Sequence, residues 1–192
     1  MDEIKESAPM TLQEVAKNPL PLDNTWIFWK TNWNPELNNG NPLKELRTVN
    51  SINEFFDAYY EIGRPSEMPL GTDYCLFRKG IQPVWEDKHN DGGGYWMIGV
   101  DRKKRGHDIE LDRHWKQALL SMIGEDFDDF NDDICGARIR IRQGTDTVSI
   151  WIKNTTSIDD IRQIGTIFRD RMELLEDEIV FFRRHDMNKT VL

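Results

Sequence analysis

Ala137-Arg138-Ile139-Arg140-Ile141-Arg142, then Gln143-Gly144-Thr145-Asp146, then Val148-Ser149-Ile150-Trp151-Ile152-Lys153, is the stretch from which the fold is read. Apolar and polar residues alternate along both arms, and successive side chains on a strand point to opposite faces. The Gly-containing segment between the arms reads as a turn. The spacing therefore predicts two paired strands with an apolar face (Ala137, Ile139, Ile141, Val148, Ile150, Ile152). The opposite face carries Arg138, Arg140 and Arg142 with Trp151 and Lys153. On a chain whose formal net charge is -9, a basic face has two readings. It is either the solvated outer side of a half-buried hairpin or a groove for phosphates.

Three helices are predicted around this hairpin. Ser51-Ile52-Asn53-Glu54 is a capping box in which Ser51 and Glu54 satisfy each other's end, and Ile52, Phe55, Phe56 and Tyr59 follow at helical spacing. The apolar stripe Leu111, Trp115, Ala118, Leu119, Met122, Ile123 defines a helix over Asp108 to Ile123, stopped by Gly124. A third runs from Ser157 to Met172, with Asp160 at the capping position. Strands are predicted at Trp26–Trp29, Tyr74–Phe77, Tyr95–Val100 and Ile179–Phe182. Asn32 to Pro42, rich in Asn, Pro and Gly, is a surface loop, and Arg183-Arg184-His185 begins a polar tail. This irregular order is an α+β arrangement, not a repeating βαβ one. Residues 1–20 are expected to be a flexible tail, 21–185 a single domain and 186–192 a second tail.

Composition excludes several classes. An acidic chain is not a general nucleic-acid binder, which would be basic, although a local stripe can hold a few phosphates. Two cysteines, Cys75 and Cys135, stand far apart without a CxxC, so buried free thiols in a reducing compartment are expected. No apolar run approaches ~20 residues and Met1-Asp2-Glu3 does not open a signal peptide, so a cytoplasmic or nuclear protein is expected. The four histidines are isolated in sequence, and HExxH, GxxxxGK[ST] and GxSxG are absent. Glu125 to Asp133 lacks the Gly and the ligand alternation of a calcium loop and reads as a solvated acidic turn. No metal, cofactor or enzymatic constellation is expected.

A second stretch carries the chemistry. Gly80-Ile81-Gln82-Pro83-Val84-Trp85-Glu86-Asp87 leads through Gly92-Gly93-Gly94 to Tyr95-Trp96, and Pro83 and the glycines keep it from being helical. Trp85 offers a face to a cation, and the adjacent Glu86 accepts two hydrogen bonds. The pair suits a flat, positively charged base with neighbouring N–H donors; a packed ring beside a solvated acid is the other reading.

The chain resembles the eukaryotic translation initiation factor 4E (mRNA cap-binding) family over roughly residues 18 to 185. The resemblance is carried by Pro21-Leu22, Trp26, Trp29, Glu54-Phe55-Phe56, Asp73-Tyr74, Gly80-Ile81, Pro83 and Trp85-Glu86-Asp87. It continues in Gly93-Gly94, Trp96, Leu111-Asp112-Arg113, Trp115, Ile123-Gly124-Glu125, Cys135-Gly136-Ala137, Arg142 and Ile150-Trp151. It implies a curved antiparallel sheet with three helices on its convex face and a 7-methylguanosine cap as ligand. It further implies that Trp85 is one wall of an aromatic sandwich, that Glu86 grips the base edge, and that Trp151 lies against the methyl group. Arg142 would hold the phosphates.

Departures from the family pattern sharpen these expectations. Asn39 falls where the second sandwich Trp is expected, and Trp33 is the only aromatic residue of that loop. Either Trp33 swings in as the substitute wall, or one wall is missing. Thr147 and Tyr95 stand where basic residues are expected, and Arg140 is the candidate to compensate. The resemblance also implies a convex surface for a Tyr-x-x-x-x-Leu-apolar helix of a scaffold factor 4G-like or 4E-binding protein. Pro21, Leu22, Ile52 and Leu120 match that surface; Phe56, also placed on it, departs by replacing a Trp, as do Lys116 and Gln117 by replacing a Leu and an acid. Expected function is cap binding by a monomer in translation initiation; the alternatives are a cap-binding repressor and an interaction module with weak or lost cap binding.

Overall fold

A computed structural model describes residues 19–32, 41–153, 157–175 and 178–185 of the chain. Its strands are β1 (Pro21–Thr31), β2 (Leu43–Ser51), β3 (Asp73–Arg78), β4 (Gly94–Asp101), β5 (Ile134–Arg140), β6 (Thr145–Ile152) and β7 (Phe181–Arg184). Its helices are α1 (Ile52–Ile62), α2 (His107–Ile123) and α3 (Ile158–Arg171). The described strands form one curved antiparallel sheet in the order β2-β1-β3-β5-β6-β4-β7.

Alternation along the strands sorts the sheet into two faces. Trp26, Phe28, Leu76, Ala137, Ile139, Val148, Ile150 and Ile98 point one way and form the main core with Phe55, Leu111, Trp115, Leu119, Ile164 and Phe168 of the helices. The core therefore lies between sheet and helices, where burying each large side chain contributes roughly 1.5–3 kcal/mol. Ile27, Trp29, Cys75, Phe77 and Trp151 point the other way, into a smaller cluster with Ile81 and Cys135 that no helix of the described residues covers.

The predicted helices are present, with one refinement at α1. Ser51 Oγ accepts from Glu54 N at 3.3 Å, but the Glu54 carboxylate accepts from Asn50 N at 2.8 Å instead of Ser51 N. Ser157 caps α3, accepting from Asp160 N at 3.2 Å. β2 was not expected, because Leu43 to Ser51 lacks clean alternation; it forms because β1 offers it a long partner. The last strand lies two residues later than predicted, since its register is set by pairing with Gly94–Met97. Arg183 and Arg184 thus belong to the sheet and His185 is buried, not part of a polar tail. The ends of the Asn32–Pro42 loop meet through Asn32 N donating to Pro42 O at 2.9 Å. Trp33, Asn39 and the tails at 1–18 and 186–192 lie outside the described residues. Glu125 to Asp133 is a turn followed by a short 3-10 helix (Asp128–Asp133), and no metal-holding group of acids, His or Cys occurs among the described residues.

Candidate nucleotide-binding cleft

Side chains on the uncovered face line up in rows across the sheet. Paired positions place Ile27, Phe77, Gly136, Trp151, Tyr95 and Arg183 in one row. Trp29, Cys75, Arg138, Ser149 and Met97 form the next, and Asp73, Arg140 and Thr147 the one after. The face is thus aromatic at one end and basic at the other. The concavity of about 370 Å³ on this face is lined by Trp85, Tyr95, Arg138, Arg140, Trp151, Arg183 and their neighbours.

Trp151 is its aromatic floor. The ring is only 4% exposed, packed edge-on to Phe77 (5.4 Å, 77°) and stacked with Tyr95 (5.8 Å, 20°). His185 lies on it at 4.2 Å, anchored by its backbone N–H to Gly93 O at 3.0 Å. Trp151 is therefore not on a solvated outer face.

Trp85 stands at the rim on an irregular loop held by local polar contacts. Asn90, fully buried, donates from Nδ2 to Gln82 O and Val84 O, both at 2.8 Å. The Asp87 carboxylate accepts from Gln82 N at 2.9 Å and His89 N at 2.8 Å. Burial pushes the Asp87 pKa up, but those backbone hydrogen bonds and the His89 ring more than offset it, leaving it below the usual carboxylate value. Gly92, at φ 74, occupies the left-handed region as the loop closes. Gly93 runs so close to Ile152 O that a Cβ there would collide with it. Asn90 is a positioning residue that motif reading passed over, and Asp87 one that it quoted without a role; their signal is the Asp and Asn that close turns onto nearby backbone. Glu86 is exposed beside Trp85 and does not line the cleft.

The arginines divide into held and unheld. Asp73, with its carboxylate 1% exposed, pairs with Arg142 Nη2 at 2.6 Å and with Arg138, whose Nε donates to it at 3.1 Å. Arg142 also donates to Thr72 O and Ile141 O and is not among the residues lining the cleft. Arg140 lines the cleft, and its guanidinium has no hydrogen bond or ion pair to any described residue. Burial, then the charges of Arg138 and Arg142, hold the Arg140 pKa below its usual value. An aromatic floor, an indole at the rim and a cation on the wall can receive a flat base by stacking and its phosphates by charge.

The profile of the family described as "Eukaryotic initiation factor 4E" matches residues 21–191. The chain belongs to the eukaryotic initiation factor 4E family. It is 34% identical to the human eukaryotic translation initiation factor 4E over 178 residues, covering 90% of this chain and 81% of that one. A pepper (Capsicum annuum) initiation factor isoform 4E is 34% identical over 188 residues, covering 96% of this chain and 89% of its own length. Among solved structures, Caenorhabditis elegans eIF4E-3 in complex with the 4E-binding protein Mextli superposes with a TM-score of 0.83 at 32% identity, covering 91% of this chain and 99% of that one. Ascaris suum eIF4E-3 with the m7G cap gives a TM-score of 0.82 at 32% identity, covering 91% and 94%.

On the opposite side of this family member lie the residues expected to meet protein partners. Pro21 is exposed opposite Ser51, while Leu22, Phe56 and Leu120 are half-buried against the main core and Ile52 is half-buried at the start of α1. Leu120 extends into a groove of about 770 Å³ between α1 and α2, with Tyr59, Tyr60, Lys116 and Gln117 in its walls.

Proposed function

We propose that this chain binds the 7-methylguanosine cap of messenger RNA and acts in translation initiation, as a binding protein of the cytoplasm rather than an enzyme. The observation that carries the reading is Trp85 at the rim of a cleft whose floor is Trp151 and whose wall is Arg140. The nematode relative crystallised with the m7G cap supports it. Methylation makes the base a cation, and each indole it lies against contributes ~1–2 kcal/mol. Glu86, next to Trp85, accepts the N–H edge of the base once the base enters, and Trp151 meets the methyl group. Arg140 and Arg142 serve the phosphates, Arg142 from its place on Asp73. Trp33 is the candidate for the second wall.

The experiment is titration with methylated and unmethylated cap analogues, followed by fluorescence. A preference of about tenfold for the methylated form is expected from one to two kcal/mol of cation–π energy, and Trp85→Ala and Glu86→Gln should each remove most of it. Equal affinity for the two analogues defeats the proposal. The relative solved with a 4E-binding protein supports a second part of the reading. Here the face around Leu22, Ile52, Phe56 and Leu120 receives an amphipathic helix of such a partner.

A further inference from the structure

The cleft of this chain lacks some of the positive charge expected of it: Thr147 of β6 and Tyr95 of β4, both in its lining, stand where basic residues are expected. Tyr95 is not free to substitute, because its ring is stacked on Trp151 and tilted against His185. One strand further out, Arg183 of β7 is the direct cross-strand neighbour of Tyr95. It is exposed, it lines the cleft, and its guanidinium has no hydrogen bond or ion pair to any described residue. Arg138 and Arg142 are both engaged by Asp73. Among the arginines lining the cleft, Arg140 and Arg183 are thus the two whose guanidinium groups no described carboxylate neutralises.

We infer that Arg183 is a phosphate-binding residue, forming with Arg140 a clamp on the polyphosphate of the ligand. The two come from β5 and β7, three strands apart in sheet order. Arg183 shares the cross-sheet row of Tyr95 and Trp151, whereas Arg140 lies four positions further along the strands in the row of Thr147, so the two cations are offered at different points along the cleft, as a chain of phosphates requires. Neither guanidinium must break an ion pair with a described residue to engage, so binding gains the charge-assisted hydrogen bond. This inference rests on the cap-binding reading for the base, but its own subject is the phosphate chain.

The test compares the whole chain with Arg183→Gln and Arg183→Lys, using 7-methylguanosine triphosphate, the 7-methylguanosine nucleoside and inorganic tripolyphosphate as probes. Arg183→Gln should weaken triphosphate binding about five- to tenfold while leaving nucleoside binding unchanged. It should also lower the slope of log affinity against log salt by about 0.7 to 1, and Arg183→Lys should restore most of both. Tripolyphosphate binding that depends on Arg183 would sustain the clamp even if the nucleoside fails to bind and the base reading falls. An unchanged triphosphate affinity and salt slope in Arg183→Gln, with nucleoside binding intact, overturns the inference. A loss of nucleoside and triphosphate binding by equal factors overturns it too, since that assigns Arg183 to the fold.

Discussion

Asp73 sets the charge state of the cleft with one side chain. Its buried carboxylate holds Arg138 and Arg142, fixing two guanidinium groups that would otherwise repel each other and Arg140. Removing one partner from a buried pair leaves uncompensated charge and costs about 3–5 kcal/mol; with the arginines partly exposed, Asp73→Asn should cost about 2–3 kcal/mol. Urea denaturation of the two proteins measures it, and an unchanged midpoint would show that the arginines are satisfied by solvent. Local motif reading singled out Trp85, Trp151, Arg140 and Arg142 because each sits in a recognisable stretch, and all but Arg142 line the cleft. It missed Asp73 as an organiser because its partners lie 65 or more positions along the chain. Arg183 looked like the start of a tail for a similar reason: only pairing with Tyr95 turns it toward the cleft.

At the scale of elements, α3 shows how a single contact locates a helix on a sheet. Gly165 of α3 is buried with the Trp96 ring so close that a Cβ would collide with it, and Trp96 Nε1 donates to Ile161 O at 3.0 Å. Gly165→Ala would gain up to ~1 kcal/mol of helix propensity. Overpacking against a held indole costs about 1–3 kcal/mol, so a net loss of about 1–2 kcal/mol is expected. Thermal unfolding reads the loss; a higher melting temperature would mean the helix slides without penalty. The three helices were legible because capping residues and apolar stripes are local signals. β2 and the true bounds of β7 were not, because an edge strand exists only through the neighbour that pairs with it.

For the whole molecule, acid stability depends on a histidine in the helix layer. His114 is 2% exposed; burial first, then the adjacent Arg113, lowers its pKa from 6.5 to about 4. Arg113 Nη2 lies 2.8 Å from His114 Nε2 and donates to it, which holds the ring neutral. Because the folded pKa is depressed, the unfolded chain binds the extra proton first. Stability is therefore complete above pH 6.5 and is lost as pH falls from there toward 4, by about 2 kcal/mol at pH 5. In His114→Gln this part of the pH dependence should vanish from the urea midpoints; an equally steep decline would place the acid sensitivity elsewhere. Cys75 and Cys135 are the expected buried free thiols, and burial pushes both pKa values up to about 12. The sequence alone determined which residues alternate, where helices start, and that a Trp-Glu pair and a basic hairpin coexist on an acidic chain, because those are properties of neighbours in the chain. Only the tertiary structure decided which arginines are neutralised, that Trp151 is a floor rather than an outer surface, and that the last strand reaches the cleft. Charge pairing and burial are set by distance in space, and in this sheet strands remote in sequence lie side by side.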